Sequence, residues 1–174
     1  MSHSALSVRS TATAVLLLAA GVVVPAQVRP APVTFAVLRE APQNPGPSRE
    51  WTVVLPAAAA GELAQLQPPQ FRVLRIAKVP ERDPQISDDS LVVVAVDAAG
   101  ATLDWQIIAD PRVIRAESPD ADGLLSGQRL VARTAEVRAV LNGGDRTARI
   151  LVYTPQWDGS EWQLQPAAMA SVVR

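Results

Sequence analysis

Hydrophobic and polar residues alternate over short segments along most of the chain. After residue 70 these segments are separated by turn-forming residues. Alternation places the apolar side chains on one face of a β-strand, and many short strands with frequent turns are typical of a sandwich or barrel. We therefore predict an all-β, antiparallel β-sandwich, immunoglobulin-like in general architecture. The predicted strands are WTVVL (51–55), FRVLRIAKV, SLVVVAVD, TLDWQIIA, RVIRAE, QRLVAR, EVRAVL, TARILVY and EWQLQ.

The part of the chain before residue 70 has a different pattern. Residues 27–50 contain five prolines, which predicts an extended N-terminal arm with at most one strand, VTFAVLR at 33–39. This arm either tethers the domain or pairs along a sheet edge. PAAAAGELAQLQPP, at 56–69, is the one helical candidate, and its Gly61 weakens it. The β-sandwich domain is expected over 51–174, with at most one short helix.

Two hairpins can be placed in register from their turn residues. In VDAAGAT, a three-residue loop with Gly100 at the left-handed position makes Asp97 face Ala101. Val93 then lies opposite Trp105, on a continuous apolar face. Trp105 is expected in the core, with Asp104 on the outer face.

The second hairpin has Gly143–Gly144 at the tip of a two-residue turn. It places Arg138 opposite Arg149 on the outer side, and Glu136 is the nearest anion that could offset these like charges. Four arginines could line this outer face and attract an anionic polymer, although a solvated face is the alternative: Arg129, Arg133, Arg138 and Arg149.

The segment LDWQIIADPRVIRAE (103–117) contains a sharp interruption. Asp110 precedes Pro111, which ends the strand. Beyond the turn, Arg115 is expected on a half-buried side, where a carboxylate of Asp110 or Glu117 would hold it in a forked pair. The arrangement is either an architectural corner clamp or a ligand site that includes Arg112 and Arg115.

SPDADG resembles a fragment of a calcium-binding loop. Asp120 and Asp122 precede Gly123, and Glu117 could supply a third oxygen donor. The third acidic position and the distal bidentate glutamate of such loops are absent. A solvated turn is the alternative.

WDGSEW, at 157–162, carries two tryptophans. A two-residue Asp158–Gly159 turn would pair Trp157 with Ser160 and place Trp162 diagonally on the same face. Two indoles on one face either stack against a sugar or peptide, or cap the open end of the sandwich.

The first 26 residues are typical of a secretory signal peptide. Arg9 precedes the apolar run TATAVLLLAAGVVV, and Val24 and Ala26 occupy the small-residue positions that a signal peptidase reads. We expect cleavage before Gln27 and a protein exported to the periplasm or the extracellular medium, with no remaining membrane span. An uncleaved signal anchor is the alternative.

Removal of the signal excludes several chemistries. The only histidine, His3, is lost with it, and the chain has no cysteine. The mature domain cannot form a His/Cys zinc site, a Ser-His-Asp triad or a disulfide framework. The remaining 15 basic and 17 acidic residues give a net charge of about −2, which argues against nucleic-acid binding. We expect no cofactor.

The region 85–153 is similar to the strand-rich accessory region beside the catalytic domain of secreted bacterial metallopeptidases of the IgA-peptidase type. The resemblance depends chiefly on Asp110-Pro111-Arg112 and Arg115-Ala116-Glu117, together with DGLLSG and ARILVYTP. Those families hold zinc through a His-Glu-x-x-His helix, which this chain lacks. The resemblance implies an accessory module and no catalytic residue.

Three functions fit these observations. The first is a non-catalytic module that binds a protein or an envelope polysaccharide. The second is a glycosidase-like hydrolase with Asp104 or Asp110 and Glu117, which needs two acids about 5–10 Å apart in a cleft. The third is a structural envelope domain that acts through its proline-rich arm.

Overall fold

The computed structural model describes residues 30–41, 46–56, 62–76, 78–80, 83–119, 121–123 and 125–173. Within them the chain forms two facing β-sheets and a separate two-stranded ribbon, which confirms the predicted all-β sandwich. All strand pairs are antiparallel except one short parallel pair. In chain order the strands are β1 (Val33–Thr34), β2 (Arg49–Pro56), β3 (Ala64–Gln65), β4 (Gln70–Val73), β5 (Ser90–Val96), β6 (Thr102–Ala109), β7 (Val113–Pro119), β8 (Leu125–Val131), β9 (Thr134–Leu141), β10 (Arg149–Trp157) and β11 (Trp162–Ser171).

The larger sheet has the order β1-β11-β10-β5-β6, with β3 also paired to β11, and the smaller has the order β4-β2-β9. Their facing sides form an apolar core that includes Trp51, Leu55 and Ile150. The outer side of the large sheet is covered as well, by the short helix α1 (Phe35–Glu40). Burial from both sides explains why every residue of β5 is buried.

Helix α1 lies where the sequence pattern predicted a strand over 33–39. Only Val33–Thr34 is extended, and the Thr34 hydroxyl then accepts a hydrogen bond from the Val37 backbone N–H at 3.3 Å, capping the helix. The helical spacing lets Phe35 and Leu38 both reach the sheet, where the Phe35 ring packs edge-on to Trp105 at 5.6 Å. No described helix is long and apolar enough to cross a membrane.

The helix predicted at 56–69 is wrong in the part that the structure describes. Ala64–Gln65 is strand β3, beside Ala168 and Met169 of β11. Residues 57–61 lie outside the described residues, as does the predicted signal peptide at 1–26.

The first predicted hairpin is present, but its register is shifted. The Asp97 N–H donates to the Ala101 carbonyl at 3.0 Å, as expected. A bulge then follows between Ala95 and Val96, so that Val94, not Val93, lies opposite Trp105. The bulge places one extra residue on β6 and reverses the side on which the later residues of β6 project. Asp104 is therefore turned towards the interior and has no exposed surface.

The second predicted hairpin is wrong. β9 pairs with β2 in the small sheet, whereas β10 pairs with β5 and β11 in the large one. The segment around Gly143–Gly144 therefore carries the chain from one sheet to the other, through a 3-10 turn at Gly144–Arg146. Arg138 and Arg149 are on different sheets and do not face each other. Glu136 does pair with Arg138, at 2.6 Å.

Candidate functional site

Strands β7 and β8 form a ribbon that is separate from both sheets. The two strands pair only with each other, in the register Val113↔Val131 to Pro119↔Leu125. Nearly all the described side chains of both strands are exposed or half-buried on both faces of the ribbon. The strands correspond to the predicted segments RVIRAE and QRLVAR, but the sequence pattern did not show that they leave the sandwich.

The base of the ribbon is held by a buried ion pair between Asp110 and Arg112. Nε and one terminal nitrogen of Arg112 donate to the two Asp110 oxygens at 3.0 and 2.8 Å, in a forked arrangement. The Arg112 backbone N–H donates to the same carboxylate at 2.9 Å, and its remaining terminal nitrogen donates to the Pro56 carbonyl at 3.1 Å. Arg112 thus joins the ribbon base to β2.

Asp89 holds the ribbon from a second direction. Its carboxylate accepts a hydrogen bond from Arg129 Nε at 2.9 Å and from Arg115 Nε at 2.8 Å, with a further contact to an Arg115 terminal nitrogen. The hydrogen bonds from Arg129 and Arg115 lower the pKa of Asp89 below its ordinary value. Arg115 is therefore paired with Asp89, and not with Asp110 or Glu117 as the sequence suggested.

The two faces of the ribbon differ in chemistry. Arg115 and Arg129 lie opposite each other on the face that meets Asp89. On the other face Ile114 lies opposite Leu130, and each is 50% exposed. This second face continues through Ala116, Gln128 and two serines, and none of its described side chains is buried. We call it the free face of the ribbon.

The two tryptophans at the tip of the β10–β11 hairpin pack against each other. Trp157 lies directly opposite Trp162, with ring centroids 5.5 Å apart and ring planes inclined at 60°. A four-residue loop joins them, so the predicted pairing of Trp157 with Ser160 is wrong. Asp158 organises this loop by accepting hydrogen bonds from the backbone N–H groups of Glu161 and Ser160, both at 2.9 Å.

The loop shifts the titration of Asp158. The hydrogen bonds from Glu161, Gln163 and Ser160 hold the pKa of this carboxyl well below its usual range. Trp157 is 53% exposed, and Trp162 is half-buried. The pair is at the same end of the large sheet as Asp89 and the ribbon base, because the start of β5 and the end of β10 lie side by side.

A buried polar cluster that the sequence pattern did not reveal lies at the opposite end of β6. Lys78 Nζ is 3.1 and 3.2 Å from the two oxygens of Asp104, and it also donates to the Trp105 carbonyl. Asp104 accepts a further hydrogen bond from the Asn142 N–H at 2.7 Å, which links the edges of the two sheets. The signal that could have located the cluster is that Lys78 is the only lysine in the chain.

The carboxylates considered for hydrolysis lie in different surroundings. Asp104 is paired with Lys78 near the start of β6, and Asp110, just beyond its end, is paired with Arg112. Six residues of extended chain place them about 20 Å apart. Glu117 is on the ribbon, opposite Gly127. The three acids thus have separate environments.

The calcium candidates are only partly described. Asp120 lies outside the described residues, Asp122 is in the exposed turn at the ribbon tip, and Glu117 is on β7. Among the residues that the structure describes, no group of three or more acidic or histidine side chains could hold a metal ion.

The other arginines considered for binding are dispersed. Arg138 is on the outer face of the small sheet, and Arg133 is in the exposed connection between β8 and β9. Arg149 lines a cleft on the outer side of the large sheet.

No protein-family model, curated protein or solved structure matches this chain.

Proposed function

We propose that this protein is an exported, non-catalytic β-sandwich module that binds another protein through the β7–β8 ribbon. The observation that carries the proposal is the exposure of both ribbon faces, with Ile114 and Leu130 side by side on the free face. A two-stranded hairpin alone is only marginally stable in water, and three strands or a covering layer are needed for independent stability. A partner would supply that layer.

A polypeptide partner suits the ribbon better than a polysaccharide. Within the described residues the ribbon is a sheet of two strands, so each has an outer edge of backbone N–H and C=O groups to which an added strand can bond. Its exposed apolar side chains are aliphatic: Ile114 and Leu130 on the free face, and Val131 on the opposite face. Aliphatic side chains on the free face match an apolar protein surface and offer no hydrogen bonds to the hydroxyl groups of a sugar.

The tryptophan pair offers less contact area to a sugar. The 60° inclination of the two rings prevents them from forming one flat platform, and each indole covers part of the surface of the other. Trp157 and Trp162 lie at the same end of the sheet as the ribbon base, so they fit a secondary role at the margin of the same interface.

The ion pairs at the ribbon base favour binding by holding the free face in place before the partner arrives. The Asp110–Arg112 pair is buried, and Asp89 joins both strands to the body of the domain. Pre-ordering of a binding surface reduces the conformational entropy that is lost on association. The sequence left open whether the segment around Arg112 and Arg115 is an architectural clamp or a ligand site. In this proposal the ion pairs are the clamp, and the free face that they support is the binding surface.

The remaining parts of the proposal derive from the sequence. Export is supported by the signal-like residues 1–26, and the non-catalytic character by the lack of histidine and cysteine in the mature chain. The immunoglobulin-like description is supported by strands that alternate between the two sheets, as in Greek-key sandwiches. A hydrolase is less well supported because Asp104 and Asp110 are each held in a buried ion pair, with Lys78 and Arg112, whereas Glu117 lies on the exposed ribbon.

A photo-crosslinking experiment tests the binding function. A benzophenone amino acid is placed at Ile114 in the purified protein, which is then irradiated with envelope and secreted fractions from its own cells. The matched control carries the same group at Val54, an exposed valine on the small sheet. The proposal expects one protein to be crosslinked at 114 and not at 54, and excess unlabelled protein to prevent the adduct.

A second arm uses the Ile114→Glu/Leu130→Glu double variant as the competitor. It is expected to fold normally, since both side chains are half exposed, and to fail to prevent the adduct. Three outcomes would contradict the proposal: equal crosslinking at 54, full competition by the double variant, or adducts consisting only of two copies of this chain.

A further inference from the structure

The outer side of the large sheet contains a cleft of about 600 Å³ beside helix α1. Its floor is formed by β10 and β5, and one wall by α1 and the residues before it. The lining is mostly aliphatic and includes Val37, Leu38, Val94, Val96 and Leu151. This volume and composition are those of a site for a small apolar or amphiphilic molecule, since ligand pockets are typically about 300–1,000 Å³ and mostly apolar.

Of the cleft-lining residues that the structure describes, one has a charged side chain. Arg149, at the start of β10, is half-buried, and its guanidinium lies near the Gly100 turn. In the described part of the chain its side chain makes no ion pair and no hydrogen bond, whereas five other arginines have carboxylate partners: Arg49, Arg112, Arg115, Arg129 and Arg138.

The nearest acidic residue in the adjoining turn does not neutralise Arg149. The Asp97 carboxylate accepts hydrogen bonds from the backbone N–H groups of Ala99 and Ala101, both at 2.9 Å, and is turned into its own loop. A half-buried guanidinium without a carboxylate is an attractive site for an external anion, which it can bind through two parallel hydrogen bonds.

The geometry of β10 sets the shape of the ligand. Arg149, Leu151 and Tyr153 alternate along one face of the strand, so the charged and the far ends of this row are about 13 Å apart. Between them the floor is aliphatic. The complementary molecule has a single anionic head at Arg149 and an unbranched apolar chain directed towards Tyr153.

We propose that this cleft binds a single-chain anionic amphiphile, with the carboxylate head paired to Arg149 and the aliphatic chain packed between β10, β5 and α1. The site is on the opposite side of the large sheet from the small sheet, and it does not depend on partner binding by the ribbon.

Titration calorimetry of the purified protein with two probes tests the site. Decanoate and decan-1-ol have the same chain length and differ in the charge of the head. Decanoate is expected to bind at least about tenfold more tightly, because a charge-assisted pair adds to the shared apolar contacts. Arg149→Gln should remove this difference by weakening decanoate alone, whereas Arg138→Gln, on the other sheet, should leave both affinities unchanged.

A second variant tests the apolar wall. Val37 lines the cleft yet is 62% exposed, so Val37→Glu should preserve the fold while weakening both probes. The matched control is Val54→Glu, at a valine that is 60% exposed on the small sheet. The proposal is overturned if neither probe binds, if decanoate binds Arg149→Gln as it binds the unaltered protein, or if Val37→Glu and Val54→Glu behave alike.

Discussion

Lys78 Nζ lies 3.1 Å from the Asp104 carboxylate, in a pair that is almost completely removed from solvent. The Lys78 side chain is 12% exposed and that of Asp104 is not exposed at all. Each charge depends on the other, because a buried ion that loses its partner keeps its desolvation cost without the compensating attraction. The pair also fixes Lys78 against the edge of β6.

Replacement of Lys78 by methionine should strongly destabilise the protein. We expect a loss of about 3–5 kcal/mol in the free energy of unfolding, since Asp104 is left buried and unpaired. Denaturant titration followed by tryptophan fluorescence measures this loss. The Lys78→Met/Asp104→Asn double variant should recover part of it, because the amide carries no charge and still accepts from the Asn142 N–H. Equal stability of the two variants would contradict the assignment.

Acid should release the ribbon from its contact with Asp89. The pKa of Asp89 is lowered in the folded protein, so its stabilising contribution is complete above the ordinary value of 3.8 and is lost as the pH falls through the folded value. Methyl NMR signals of Ile114 and Leu130 should therefore sharpen and shift towards random-coil positions at low pH. In Asp89→Asn the same change should be present at pH 6. Ribbon signals in Asp89→Asn that match those of the unaltered protein at pH 6 would show that Asp89 does not hold the ribbon.

Gly144→Ala should destabilise the crossing between the sheets. The residue has a φ of +51°, and an added Cβ would lie 2.8 Å from Cγ of Pro47. A strained backbone of this kind costs about 1–3 kcal/mol, measurable as a lower thermal midpoint. Gly127→Ala in β8 is the control, because its φ is not positive and no atom lies within 4 Å of the added Cβ. A similar midpoint for both variants would argue against strain at the crossing.

Replacement of Trp105 should lower the free energy of unfolding much more than replacement of Trp157. Trp105→Ala should cost about 3–5 kcal/mol, because this side chain is only 4% exposed and packs against Phe35. Trp157→Ala should cost about 1 kcal/mol or less, since 53% of the residue is exposed. Chemical denaturation of both variants provides the comparison, and a large loss for Trp157→Ala would place that indole in the core.

Strand positions could be predicted from the sequence because alternation is a local signal. Most of the strands from WTVVL onwards have counterparts in the structure, and Trp105 is buried as expected. The side on which residues project could not be predicted beyond the bulge at Ala95 and Val96. One extra residue moves every later side chain of β6 to the other face of the sheet, and the pattern of apolar residues does not predict that residue.

Partners that are distant in sequence could not be predicted either. Gly143–Gly144 suits a tight hairpin and a crossing between sheets equally well, because both require positive φ angles. Asp89 pairs with Arg115 and Arg129, which lie 26 and 40 residues further along the chain, and such pairs depend on the tertiary fold. Helix α1 was missed because its packing against the large sheet outweighs the strand preference of its valine and phenylalanine.

The pairing of β2 with β9 also governs the order of events during synthesis. Arg49 lies opposite Leu141, so the small sheet cannot form completely until about ninety residues after Arg49 have left the ribosome. Closing so long a loop costs entropy before its contacts stabilise the product, which makes folding slow. A nascent chain of this topology therefore stays unfolded, and open to chaperones, for longer.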